Sequence, residues 1–278
     1  MFEYAQVVTS EYRSTDEHPR ATLHSPTGRD VVTSPRRVAL VANTSGYVGP
    51  DLARSLASRG HDLVIGDPVE GLLDELTGLG AAVEVVEGVH NLATPGSATD
   101  LVEAAIARFG RVDSAVAATG RIVVGRFLKS SVEDLRAAVL GCLEAPYLFL
   151  RAVVPVMVER GEGQVLVITS ASAVRPTPGA PLYSSARAGA NMLVRNVADE
   201  IAATGVQVNS VGTNFMDFPE FLAASKATTP EGRARVEALV PMGRLGTMQE
   251  FASFCMPYLD GTSRFTTGQF VAYAGGWA

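Results

Sequence analysis

The amino-acid sequence predicts an α/β fold, with one parallel sheet covered by helices on both faces. Short apolar runs typical of buried strands alternate with longer runs typical of helices. The 278 residues are 47% hydrophobic and 19% charged, which suits one domain with a sizeable core. Tyr47, Ser170 and the loop after Gly212 each follow a strand-like run. Ligands of parallel sheets bind at that edge, so these positions are candidates for a site.

Seven apolar runs without strict alternation are predicted as strands buried on both faces. They cover residues 36–42, 61–68, 81–88, 112–120, 164–170, 206–212 and 268–276. Helices are predicted between them, at residues 50–60, 69–79, 98–109, 131–159, 183–203 and 248–259. We expect the longest helix to break or bend near Pro146 and Pro155. An insert of loop and helices is predicted from Thr213 to about Gly246. This order is typical of a Rossmann-like, doubly wound sheet.

Residues 1–35 differ from the rest of the chain. They lack hydrophobic periodicity, and they are rich in Ser, Thr, Glu and Arg. No apolar core typical of a signal peptide is present there. We therefore predict a flexible or loosely packed extension at residues 1–35, followed by a single catalytic domain at residues 36–278.

Composition and charge exclude several classes of partner. The net charge is −6 and the isoelectric point about 5.3, so neither nucleic acid nor an anionic membrane is expected to bind. Cys142 and Cys255 are far apart, and the four His form no metal-binding motif, so no disulfide framework and no metal site are expected. No apolar run reaches the roughly 20 residues of a membrane span. We expect a cytoplasmic protein in a reducing compartment.

Three residues around the fifth strand form a candidate catalytic set. Ser170 ends that strand, a loop rich in Pro and Gly follows, and Tyr183 opens a helical run. Arg187 lies four residues later and shares a helix face with Tyr183. A fixed cation favours the phenolate over the phenol, and Ser170 can hydrogen-bond the same substrate oxygen. The alternative is a surface Tyr and Arg on one helix turn, beside an ordinary strand-end Ser.

The turn after the first strand, residues 43–49, lies where a dinucleotide-binding fold has its Gly-rich turn. Short-chain dehydrogenases carry T-G-x-x-x-G-x-G there, because the backbone must approach a pyrophosphate closely. This chain has Asn43 and Tyr47 at the first two Gly positions and keeps Gly49, and Gly46, offset by one position, is the alternative that partly restores the turn. Asp67, at the end of the second strand, matches the residue that holds a ribose hydroxyl. Asp67 therefore remains an argument for NAD binding.

Other landmarks of short-chain dehydrogenases are also replaced. Strand four ends in A-A-T-G at 117–120 in place of N-N-A-G. Cys142 stands where a proton-relay Asn is expected, and Arg187 replaces the Lys of Y-x-x-x-K. Thr213 and Asn214 replace the P-G pair after the sixth strand. Together these changes indicate a short-chain dehydrogenase scaffold without its nicotinamide chemistry.

The chain resembles the halohydrin dehalogenases, which use that scaffold without a nicotinamide. Their S-x12-Y-x3-R motif matches Ser170, Tyr183 and Arg187. Their first-turn motif, T-x4-F/Y-x-G, matches except that Ala42 replaces Thr. Stretches that look like the G-type members, which accept bulky and cyclic epoxides, are GYVGPDLA, GTNFMDFPEFL, GRLGTMQE, RFTTGQF and GGWA. The resemblance covers about residues 37–278.

The resemblance implies a lyase that needs no cofactor. Tyr183 would take the proton from the hydroxyl of a vicinal halohydrin, while Arg187 supports the phenolate and Ser170 holds the oxygen. The alkoxide would displace the neighbouring halide and close an epoxide. In reverse, azide, cyanide or nitrite would open the ring. The implied partners are a small halohydrin or epoxide, a halide or other small anion, and further copies of the chain in a homotetramer joined through the helices at 131–159 and 183–203.

The halide is expected in the room that a nicotinamide would otherwise fill, held by backbone N–H groups in a concavity. The expected halide or nucleophile site consists of Tyr47, Thr213, Asn214, Phe215 and Met216. Phe218, Phe221 and Cys142 are candidate walls of the substrate pocket. Ordinary packing of an apolar helix face is the alternative for the two Phe residues.

Two other functions stay open at this point. A nicotinamide-dependent short-chain oxidoreductase is supported by the scaffold and Asp67. If the chain were a non-catalytic binding protein, Ser170, Tyr183 and Arg187 would have no catalytic role. Release of chloride or bromide from a halohydrin, with no cofactor added, separates the first hypothesis from both.

Overall fold

The computed structural model describes residues 36–90, 92–120 and 122–278. Seven parallel strands form one sheet in the order β3-β2-β1-β4-β5-β6-β7. The strands are β1 Arg37–Val41, β2 His61–Ile65, β3 Val83–Val85, β4 Ser114–Ala118, β5 Gly163–Ser170, β6 Val206–Thr213 and β7 Phe270–Tyr273. The predicted doubly wound α/β fold is confirmed. The predicted extension, residues 1–35, lies outside the described residues.

Helices cover both faces of this sheet. They are α1 Gly49–Ser58, α2 Leu72–Gly78, α3 Ser97–Phe109, α4 Val132–Val139, α5 Ala145–Arg160, α6 Pro181–Ile201, α7 Pro219–Ala224, α8 Pro230–Glu237 and α9 Met248–Cys255. Buried side chains of α3, α5 and α6 pack on one face, and those of α1, α2 and α9 pack on the other. Both faces of the sheet are therefore buried, as strands without hydrophobic alternation predict.

The strand register sets the position of the candidate residues. Ser170, the last residue of β5, pairs with Thr213, and Thr213 pairs with Tyr273 of β7. The direction of the strand order reverses between β1 and β4. The loops that follow β1 and β4 therefore flank the switch point, where ligands of doubly wound sheets bind.

The helix predicted at 131–159 is interrupted near Pro146, as expected, and it is continuous at Pro155. A π-helical turn, Leu140–Glu144, joins α4 to α5 immediately before Pro146. Pro146 has no N–H to donate to the carbonyl four residues earlier, so the irregularity falls on the turn that precedes it. The expected break at Pro155 is wrong, because α5 continues through this residue to Arg160.

The continuous run Val132–Arg160 also corrects the expectation that no segment could span a membrane. It is 29 residues long, and an 18-residue window reaches a mean hydropathy of 1.6. By length and composition alone, it could cross a bilayer. Half of that window is buried inside the protein, where Phe149, Val153 and Met157 pack against the sheet. This burial is typical of a core helix.

Candidate active site

Tyr183 and Arg187 meet on the first two turns of α6. Pro181 stands in the first turn of this helix, where its missing N–H costs no hydrogen bond. The Arg187 guanidinium carbon lies 5.2 Å from the centroid of the Tyr183 ring. The two side chains therefore form a cation–π pair. Arg187 is only 4% exposed, so its charge acts in a medium of low polarity.

The loop after β4 fixes the other side of the Arg187 guanidinium. Nη1 donates to Thr119 Oγ1 at 3.3 Å, and Nη2 donates to the Thr119 carbonyl oxygen. A Cβ at Gly120 would lie 1.8 Å from Nη2, and the Gly120 φ angle is +140°. Only glycine leaves room for the guanidinium there. The sequence analysis noted A-A-T-G only as a replaced motif and missed this function of Thr119 and Gly120.

Ser170 is 6% exposed at the end of β5. Its Oγ accepts the Ser172 backbone N–H at 3.2 Å and lies 2.9 Å from Ser172 Oγ. It also donates to the Thr213 carbonyl oxygen at 3.4 Å. The 3-10 turn Ala171–Ala173 thus holds the hydroxyl at the carboxyl edge of the sheet. Ser172 is a positioning partner that the sequence analysis did not single out.

Tyr47 crosses the carboxyl edge of the sheet. Its hydroxyl lies 2.6 Å from Thr213 Oγ1 and joins the loop after β1 to the end of β6, although β4 and β5 stand between these strands. Its ring packs against Phe218 with centroids 4.9 Å apart. Burial raises the pKa of the Tyr47 phenol, so the phenol is neutral at physiological pH. Its φ angle is +50°, in the region that residues other than Gly rarely adopt.

The loop after β6 turns sharply at Phe215, whose φ angle is +56°. The Phe215 N–H donates to Asn214 Oδ1 at 2.9 Å. Met216 is 2% exposed, and it belongs to the buried apolar cluster on the α1 and α9 face of the sheet. The predicted anion site therefore has Tyr47 and Thr213 joined by a hydrogen bond, while Met216 can offer only its backbone to a ligand.

The candidate pocket walls divide into two groups. Phe218 and Phe221 lie beside each other with centroids 6.1 Å apart, and Phe218 also contacts Tyr47. Both are partly exposed and border the edge that Tyr47 crosses. Cys142 is fully buried in a small apolar cluster against which Tyr183 packs.

A cavity of about 270 Å³ lies on the β7 side of the loop after β6. Its lining combines that loop with the segment after α8 and the end of β7. The lining residues are Asn214, Phe215, Met216, Val240, Met242, Arg244, Gly246, Ala272, Tyr273, Ala274, Gly275 and Gly276. Asn214, Phe215 and Met216 of the predicted halide site lie in this lining, whereas the walls after α8 and at the end of β7 were not predicted, because they come from segments far apart in the chain.

Known proteins match this chain along most of its length. Residues 41–278 match the family model described as enoyl-(acyl carrier protein) reductase, one of the short-chain dehydrogenase/reductase models. The chain belongs to the short-chain dehydrogenase/reductase family. A subunit of (2S)-[(R)-hydroxy(phenyl)methyl]succinyl-CoA dehydrogenase from Thauera aromatica is 32% identical over 86% of this chain and 94% of that protein.

Two solved structures that resemble this chain are named for different activities. Acetoin dehydrogenase from Enterobacter cloacae is 26% identical with a TM-score of 0.76, covering 87% of this chain and 95% of that one. A structure described as a dehalogenation enzyme is also 26% identical, with a TM-score of 0.75, covering 87% and 98%. The protein is therefore an enzyme of the short-chain dehydrogenase/reductase family, most of whose compared members are named oxidoreductases or reductases.

The nicotinamide dinucleotide that this family implies can be tested against the residues present. Tyr47 extends across the switch-point crevice to Thr213. The Asp67 carboxylate, which would hold a ribose, accepts the Gly88 N–H at 3.0 Å and lies 2.9 Å from His90 Nδ1. These residues do not favour a dinucleotide, because Tyr47 reaches across the crevice and Asp67 binds its own chain.

Proposed function

We propose that this protein is a halohydrin dehalogenase, a lyase that closes vicinal halohydrins to epoxides with release of halide and needs no cofactor. The observation that carries the proposal is the Arg187 guanidinium, stacked on the Tyr183 ring and anchored to Thr119. In a nicotinamide enzyme this position carries a Lys. The same site would open epoxides with azide, cyanide or nitrite.

The proposed reaction begins with a proton transfer. The Tyr183 phenolate oxygen takes the proton of the substrate hydroxyl, while Ser170 Oγ donates a hydrogen bond to the same oxygen. The resulting alkoxide uses its electron pair to form a bond to the neighbouring carbon. The carbon–halogen bond breaks, and the halide leaves with that bonding pair. Arg187 stabilises the phenolate electrostatically before the transfer.

The leaving halide would lie between Tyr47 and the loop after β6. Thr213, Asn214, Phe215 and the backbone of Met216 border this space. The Tyr47 phenol is neutral and can donate a hydrogen bond to an anion. The partly exposed rings of Phe218 and Phe221 would form an apolar wall that suits bulky or cyclic substrates. No metal ion enters this mechanism, and the residues described here form no group of three metal-ligating side chains.

We also propose a homotetramer in the cytoplasm, assembled through α4, α5 and α6 of the catalytic domain, residues 36–278. Several large apolar side chains on these helices and the turn between α4 and α5 are exposed in the single chain and are available for contact with other copies. They are Val132, Leu135, Leu140, Tyr147 and Met192. Covering them with other copies of the chain would remove this apolar area from water.

The test is release of bromide from a vicinal bromohydrin with no nicotinamide added. We expect turnover in the purified protein, and stoichiometric epoxide as the second product. Boiled protein and Tyr183→Phe are the controls. Absence of halide release across linear and cyclic halohydrins would contradict the proposal.

A nicotinamide-dependent oxidoreductase is the second candidate. The names of this chain's relatives favour an oxidoreductase, and they include a dehydrogenase subunit at 32% identity. A ligand that binds only the folded state raises the melting temperature by mass action. Saturating NADH or NADPH raises the melting temperature if this candidate is right, and leaves it unchanged if Tyr47 occupies the crevice as described.

A further inference from the structure

Two buried N–H donors on one face of α6 have no hydrogen-bond partner in the part of the chain that the structure describes. They are Arg187 Nε and Asn191 Nδ2. Asn191 is 7% exposed, and it lies four residues after Arg187. Side chains at this spacing lie one above the other on a helix, with Cβ atoms about 5–6 Å apart. Buried donors without an acceptor are costly and rare in folded proteins, so these two require an account.

The amide oxygen of Asn191 does have a partner. Thr169 Oγ1 donates to Asn191 Oδ1 at 2.8 Å, and both residues are buried. Thr169 directly precedes Ser170 in β5. Asn191 therefore connects the strand that presents Ser170 to the helix that presents Tyr183 and Arg187.

One acceptor between the two donors would satisfy both. A water molecule accepts two hydrogen bonds, and it can join two N–H groups whose nitrogen atoms are roughly 5 Å apart. Both residues are at least nine-tenths buried and both donors are polar, which is the setting in which buried waters bind. Such a water would fix the Nε side of the guanidinium, while Thr119 fixes the Nη side.

We propose that Asn191 is a positioning residue for the reaction. Its amide oxygen fixes β5 through Thr169, and its amide N–H holds, together with Arg187 Nε, one buried water that orients the guanidinium against Tyr183. Asn191 does not touch the substrate. This inference rests on the proposed dehalogenase function for its kinetic effect, but the bridge to Arg187 has a readout that needs no substrate.

The kinetic test compares Asn191→Leu with a matched control. Asn209 in β6 is also a buried Asn, and both ends of its amide are bonded to the chain, to Thr266 and Gln269. We expect Asn191→Leu to lower kcat at least tenfold with KM within twofold, because small misplacement of a catalytic group costs up to roughly a hundredfold. The loss should be larger at neutral than at alkaline pH. Asn209→Leu should lower the melting temperature while kcat and its pH dependence remain unchanged.

Thr169 variants separate the two ends of the amide. Thr169→Val removes the hydroxyl and keeps the shape, so it should lower kcat roughly threefold to tenfold. Thr169→Ser keeps the donor and should restore most of the activity. An unchanged kcat in Asn191→Leu would overturn the positioning role.

The substrate-independent test uses protein labelled with ¹⁵N-arginine. Arg187 Nε–H should give a resonance protected from solvent exchange, assigned by its loss in Arg187→Lys. In Asn191→Leu this resonance should broaden or exchange at least tenfold faster, and in Asn209→Leu it should be unchanged. An unaltered resonance in Asn191→Leu would overturn the bridge. If wild type releases no halide, the dehalogenase proposal fails, and this spectrum alone decides the structural inference.

Discussion

The two ends of β4 hold buried charges in opposite ways. Asp113, immediately before β4 and 1% exposed, accepts the Val38 N–H at 2.7 Å and pairs with Arg111 and Arg160. At the other end, Arg187 bonds to the neutral oxygens of Thr119 and has no carboxylate partner within the described ranges.

The difference separates a structural charge from a chemical one. Asp113 is neutralised by cations and a backbone donor, so its charge ties helix ends and strands together at the amino edge. The Arg187 charge is left uncompensated beside Tyr183, where it can stabilise a developing phenolate. An uncompensated buried charge is expensive, and enzymes retain such charges where chemistry uses them.

The largest effect should come from Tyr183→Phe. This change removes only the oxygen that exchanges the proton and keeps the ring that packs on Arg187. General acid–base groups contribute about a hundred- to ten-thousand-fold, so halide release should fall by that factor. Circular dichroism and the melting temperature should stay close to wild type. Near-normal halide release would remove Tyr183 from the mechanism.

Arg187→Met should give the next largest effect on the reaction. Met is similar in bulk but neutral, so the phenolate loses its electrostatic support. Halide release at neutral pH should fall roughly ten- to a thousandfold and partly recover in alkaline buffer. Arg187→Lys should be an imperfect substitute, since it loses the planar fork that binds Thr119. The measurement is a full pH–rate profile for halide release by each variant. If the profile of Arg187→Met coincides with that of wild type, Arg187 does not support the Tyr183 phenolate.

Asp113→Asn should lower the stability of the fold and leave the reaction nearly unchanged, the opposite of the Tyr183 and Arg187 variants. It leaves Arg111 and Arg160 without their buried carboxylate, and breaking such pairs costs about 3–5 kcal/mol, nearer the lower value here because both Arg side chains are partly exposed. Urea unfolding should report this loss, while kcat for halide release stays within twofold. A large fall in kcat at equal folded fraction would show that the two ends of β4 are not separable.

The smallest effect concerns Cys255, which is fully buried on α9. Burial raises the pKa of its thiol, so the folded protein keeps the proton while the unfolded chain loses it above about pH 8.5. Stability should therefore fall as pH rises above 8.5, by up to about 1.4 kcal/mol per pH unit. Cys255→Val should flatten this slope between pH 8.5 and 10 in urea unfolding. Equal slopes in both proteins would exclude the thiol as the cause.

Much of the fold could be predicted, because buried parallel strands read as short apolar runs and each is followed by a helix. The π-helical form of the turn before Pro146 could not be predicted. It depends on packing against α6 as well as on Pro146, and no sequence period records that packing. The spacing of Tyr183 and Arg187 predicted their contact. Thr119 and Asn191 escaped prediction, because their importance depends on contacts between strand ends and α6 that no local pattern records.

Gly120 constrains the order in which this site could have arisen or could be rebuilt. With a Cβ only 1.8 Å from Arg187 Nη2 and a φ angle of +140°, a side chain at position 120 would displace the guanidinium and strain the backbone. A route in which Arg enters position 187 with glycine already at 120 avoids this clash. In a mutant library that randomises both positions, active clones with Arg187 should therefore converge on glycine at 120, and selection would record this dependence as linked inheritance of two residues 67 positions apart.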